Sequence, residues 1–128
     1  MEPSILISTK KILGITANYD AFDLDILTHI NASFSILNQL GVGPVEGFFV
    51  EDETAVWDDF VVPENQKHLV KTYIFLKVRM LFDPPATSYL IEASNKQIQE
   101  YEWRLNVFRE EATYPLEPPI VIEEMEIL

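Results

Sequence analysis

Between Leu69 and Phe82 apolar residues fill most positions (Leu69, Val70, Tyr73, Ile74, Phe75, Leu76, Val78, Met80, Leu81, Phe82), and the run stops at Asp83-Pro84-Pro85. Read as a helix, this segment is apolar around nearly its whole circumference, so more than one neighbour must cover it. The pattern predicts a helix at the centre of a small bundle, or one that also faces another subunit. It begins near Glu64 to Gln66 and ends before Pro84, which cannot continue the hydrogen-bond ladder.

Upstream, Ser4 is placed to cap a short helix through Leu13, and Gly14 ends it. A turn over residues 16–19 leads to a second helix from about Asp20 to Leu40. Its apolar residues Leu27, Ile30, Phe34 and Leu37 are spaced three, four and three apart, one face of an amphipathic helix. Gly41-Val42-Gly43-Pro44 terminates it. Residues 45–64 read as an irregular excursion with a short extended piece at Phe48-Phe49-Val50. Such a length without regular structure is unusual in a compact domain and points to function or mobility.

After the prolines, Thr87 or Ser88 caps a last helix with Ile91, Ile98, Tyr101, Leu105 and Phe108 on one stripe. Glu92 with Lys96 and Glu100 with Arg104 make i,i+4 pairs on its wet side, each contributing about 0.2–0.5 kcal/mol. Beyond Ala112 the sequence Tyr114-Pro115-Leu116-Glu117-Pro118-Pro119 excludes a helix. The β-branched and acidic residues from Ile120 to Leu128 then suit an edge strand on another chain, or a segment that orders only on a partner. The fold class expected is mainly α: a small bundle of about four helices over residues 1–112 with an acidic loop insertion, followed by an extended acidic C-terminal arm over 113–128.

Composition narrows the class. With 128 residues and 48% hydrophobic content, the chain has the size of one domain that builds a core without staples. It contains no Cys, which removes disulfides and thiolate chemistry. Lys71, Lys77 and Arg79 interrupt the longest apolar run before it reaches transmembrane length, and Met1-Glu2-Pro3 lacks the marks of a signal peptide, so no membrane partner is expected. The net charge of -12 is unevenly placed. Glu46, Glu51, Asp52, Glu53, Asp58, Asp59 and Glu64 form one stretch without Lys or Arg; Glu110, Glu111, Glu117, Glu123, Glu124 and Glu126 form another. The remaining frame is close to neutral. Clustered cations for gripping phosphates are missing, which argues against a DNA-binding module. The acidic stretches either keep the protein soluble or steer partners.

Catalytic chemistry finds little support in the sequence. Asp25 and His29 share a helix face, but no H-E-x-x-H pattern surrounds them, and an ordinary surface contact explains the pair. Asp20, Asp23 and Asp25 suggest a calcium loop, yet the required Gly is absent and the twelfth position is Asn31. Asp52, Glu53, Asp58 and Asp59 would make a two-metal hydrolase only with a basic groove to deliver substrate. Gly41-x-Gly43 lacks the rest of a phosphate-binding fingerprint. No catalytic residue, metal site or cofactor is expected. Trp57, inside the acidic excursion with Phe60, either anchors that loop on the body or inserts into a partner. Trp103 sits away from the stripe of the last helix and is a candidate interface residue.

Five segments in order carry a resemblance. They are residues 8–15 (Ser8-Thr9-Lys10-Lys11-Ile12-Leu13-Gly14-Ile15), 23–31 from Asp23 to Asn31, 37–44 from Leu37 to Pro44, 71–85 from Lys71 to Pro85, and 102–106 from Glu102 to Asn106. Together they resemble the small head-tail connector, or adaptor, proteins of tailed bacteriophages over roughly residues 4 to 109. The resemblance implies a helical subunit made in the bacterial host cytoplasm and built into the virion neck. It further implies a homo-oligomeric ring of about a dozen copies beneath the portal protein, meeting the next neck or tail-completion protein, with DNA passing through unbound. Interface or channel candidates are Glu51, Asp52, Glu53, Trp57, Asp58, Asp59 and Trp103, with Tyr114, Ile120 and Ile122 of the arm. The competing class is an acidic, nucleic-acid-mimicking binding or inhibitor protein, favoured by net charge and disfavoured by the neutral helical frame.

Overall fold

The computed structural model describes residues 3–113, with side chains through Phe108. Four helices form in the expected order: α1 (Ile5–Ile12), α2 (Asp23–Gln39), α3 (Glu64–Phe82) and α4 (Ser88–Thr113). Local signals set their ends. The Ser4 hydroxyl accepts the Ile7 N–H at 3.2 Å, and Gly14 at φ 81° releases the chain after α1. Thr87 is the cap of α4, its hydroxyl accepting the Leu90 N–H at 3.3 Å. The paired prolines before it keep α3 and α4 from merging into one helix.

Helix α3 is the centre of the bundle. It packs against α2 and α4, while α1 lies on α2 and α3. Ile26, Ile30, Phe34 and Leu37 of α2 meet Val70, Tyr73, Ile74 and Val78 of α3, and Ile98 and Leu105 of α4 close the far side. Each such side chain contributes about 1.5–3 kcal/mol when fully buried. One expected stripe shifts by a position, and one apolar surface is only partly covered. On α2, Ile26 and Ser33 are buried whereas Leu27 is only half-buried, because the buried face is rotated toward the Ile26–Ser33 side of the expected stripe. On α3, the apolar circumference is incompletely covered within one chain: Leu81 is exposed, and Phe75, Leu76 and Met80 are half-buried.

Two polar contacts brace this core. Lys10 lies buried in the last turn of α1, where its Nζ donates to the Ala17 carbonyl at 3.0 Å. The same ammonium stands 2.8 Å from the Asp23 carboxylate, at an angle too sharp for a good hydrogen bond, so charge holds that contact. Lys10 thus sits at the negative end of one helix dipole and Asp23 at the positive end of the next, each where its own sign is favoured. Across the α3–α4 seam, the Tyr73 hydroxyl donates to Glu102 at 2.8 Å. Burial, with the adjoining carboxylate, pushes the Tyr73 phenol well above its ordinary pKa.

The extended piece expected at Phe48-Phe49-Val50 does not become a strand. Among the described residues the one strand-like pairing is an isolated antiparallel bridge between Ser4 and Val56. Of the expected i,i+4 pairs on α4, Glu100 and Arg104 meet at 2.7 Å. The arm, with Tyr114, Ile120 and Ile122, lies outside the described residues. No helix among the described residues is long and apolar enough to cross a membrane.

Candidate functional site

The long connection between α2 and α3 is fastened to the helices at several points. Gly43, at φ +88°, approaches the Phe60 ring so closely that a Cβ there would collide with it. Asn38 Nδ2 donates to the carbonyls of Pro44 and Val45 at 3.2 and 3.3 Å. Asn31 acts as a substitute strand: its Oδ1 accepts the Val50 N–H at 2.7 Å and its Nδ2 donates to the Val50 carbonyl at 3.0 Å. One side-chain amide therefore satisfies both backbone groups of a buried residue, which is why no ladder is needed.

Aromatic rings supply the rest of the anchorage. Phe34, Phe48 and Phe60 form a triangle with centroids 4.8 to 5.2 Å apart. Trp57 is 3% exposed and meets Phe75 edge-on at 5.5 Å, and its Nε1 donates to the Ser8 hydroxyl at 2.9 Å. The Lys71 ammonium lies 5.8 Å from its ring centroid. Of the two roles open to Trp57, the geometry is that of an anchor joining the loop to α1 and α3.

This anchorage divides the acidic stretch into two parts. Asp58 pairs with Lys67, and Asp59 accepts the Val56 N–H at 2.9 Å to brace the single 3-10 turn at Trp57–Asp59. The Asp58 contact also holds the Lys67 amine above its ordinary pKa. Glu51, Asp52 and Glu53 instead stand exposed at the loop tip. Asp52 accepts from the Thr54 N–H at 2.9 Å and from its hydroxyl at 2.6 Å, and these bonds lower the Asp52 pKa, keeping the tip charged. Among the described residues no group of three His, Cys, Asp or Glu is arranged to hold a metal ion. Trp103 is exposed on α4, remote in sequence and in element from the loop.

Sequence reading did not anticipate the apolar groove that Phe75, the ring under Trp57, helps to line. About 610 Å³ of open space lies between α3, α4 and the end of α1, lined by Ile12, Phe75, Met80, Leu90 and Tyr101 together with exposed Arg79. The one available signal was the apolar circumference of α3, whose surplus face lines this groove.

No curated protein and no solved structure matches the chain. A family model described as phage connector protein matches residues 5–112, a span that opens with the first residue of α1 and takes in the fastened loop and nearly all of α4. The chain belongs to the phage connector protein family.

Proposed function

We propose that the protein is a structural subunit of the phage head-tail junction, in which about a dozen copies close into a ring docked on the portal. The observation that carries this reading is a connector-family match spanning the whole four-helix body. Glu51, Asp52 and Glu53 face the channel mouth or the edge of a subunit contact. A duplex carries one negative charge per about 1.7 Å of axis, so an acidic lining repels it and lets it slide, where a basic lining would hold it. The helical body of 1–112 builds the ring, and the arm of 113–128 reaches a neighbouring copy or the portal. Trp103, exposed on α4, is available for a contact with a neighbouring subunit or the next neck component.

Mass-resolved size exclusion of the protein with its cognate portal ring tests the reading. Co-elution at about one copy per portal subunit, or a closed ring formed by the protein alone, supports it. A monomer that ignores the portal overturns it and favours the acidic binding protein.

A further inference from the structure

A closed ring of identical subunits uses a head-to-tail interface, whose two halves are different surfaces on one subunit. The bundle offers two such surfaces. Helices α2 and α4 each pack on α3, and the principal helix contacts include none between α2 and α4, so they occupy different sides of the central helix. The outer face of α2 carries Leu24, Thr28 and Asn31 beside Phe49 and Glu51 of the loop. Phe49 is 67% exposed and Leu24 more so, an apolar patch with an acid at its margin. The other surface is the α3–α4 groove, apolar within and carrying Arg79. Neither Glu51 nor Arg79 has an oppositely charged side chain at ion-pair distance among the described residues.

We propose that Phe49 of one copy seats in the α3–α4 groove of the next, with Glu51 set against Arg79. The inference rests on the ring reading and supplies its subunit contact. Apolar surface meets apolar surface, and Glu51 at the margin of one patch meets the cation of the other, the complementarity that fixes partner and orientation. An aromatic knob and an arginine are also the residue types that dominate interface energetics. Asp52 and Glu53, next along the loop, are then left beside the contact, free to line the channel.

The absence of native cysteine makes the test direct. Phe49→Cys and Ser94→Cys, the latter on the groove wall, are introduced singly and together into the full chain. Each protein is assembled on the portal ring and treated with a short bismaleimide. One thiol per copy can join only two copies, so each single variant stops at a dimer, whereas the double variant is expected to give a ladder of trimers and larger species. Rings that assemble normally while the double variant never passes a dimer overturn this contact and leave the ring reading intact. Failure of the parent protein to form rings removes the ring reading, and this contact with it; rings formed by the parent and lost in Phe49→Cys keep the ring reading and support the contact. A ladder from Ile122→Cys with Ser94→Cys, absent from the Phe49 pair, gives the groove to the C-terminal arm and overturns the proposal. Charge reversal supplies a second measurement: Glu51→Arg and Arg79→Glu each lose ring formation, and the two together regain it. Single reversals that assemble like the parent protein count against the contact.

Discussion

Replacing Trp57 by Ala tests whether the long loop is part of the folded body. The indole is nearly completely buried, and truncating a buried aromatic to Ala costs about 3–5 kcal/mol through lost transfer energy and the cavity left behind. The lost hydrogen bond adds little. The Ser8 hydroxyl, which accepts from the indole, still donates to the Ser4 carbonyl at 2.6 Å and is not stranded. The Lys71 contact contributes about 0.5–1 kcal/mol. A central expectation of about 4 kcal/mol lowers Tm by roughly 16 °C, at about 4 °C per kcal/mol for a domain of this size. Trp57→Phe keeps much of the ring packing and is expected to lose about a third of that. Thermal and urea unfolding of the isolated protein, followed by far-ultraviolet circular dichroism, reads both variants. An Ala variant within about 3 °C of the parent would refute the anchoring argument; intact stability with lost assembly would move the indole to a partner surface.

The Lys10–Asp23 pair is expected to respond asymmetrically. Asp23→Ala leaves a buried ammonium with only the Ala17 carbonyl and should cost about 3 kcal/mol, whereas Lys10→Met leaves a carboxylate that is 30% exposed and should cost about 1 kcal/mol or less. Equal losses in urea unfolding would contradict this account of the burial. Tyr73 predicts an alkaline limit. Its folded pKa is raised, so its contribution is complete below the unfolded value near 10 and declines as pH rises beyond it, by about 1.4 kcal/mol per pH unit while the folded phenol keeps its proton. Stability measured from pH 8 upward should fall less steeply in Tyr73→Phe; parallel curves for the two proteins would refute the assignment.

What the sequence revealed was local, and what it concealed depended on residues far apart in the chain. Ser4, Gly14 and Thr87 act on backbone groups within a few positions, so their roles were readable as caps and stops. The central place of α3 followed from its apolar density. Val50 read as part of an extended piece, but its partner is the side chain of Asn31, nineteen residues away, and no spacing rule announces such a bond. Nothing in the sequence marks Lys10 as a buried cation; its burial depends on how the segment after Gly14 carries Asp23 back to α1. The acids between Glu51 and Asp59 looked equivalent in sequence. Only the positions of Lys67 and the Val56 N–H separate Asp58 and Asp59, tied to α3 and to the 3-10 turn, from Glu51, Asp52 and Glu53 at the tip.

The attachment of α4 gives the molecule an order of opening. Its 26 residues extend about 39 Å, and its principal packing is against one neighbour, α3. The paired prolines that lead into it bring no backbone donors of their own. Helices α1, α2 and α3 are instead tied together through one another and through the clamped loop. Separating α4 therefore requires the loss of one seam, while separating any of the others breaks several at once. Amide protons of α4 should exchange with solvent through that smaller opening, and those of α3 only when the whole body comes apart.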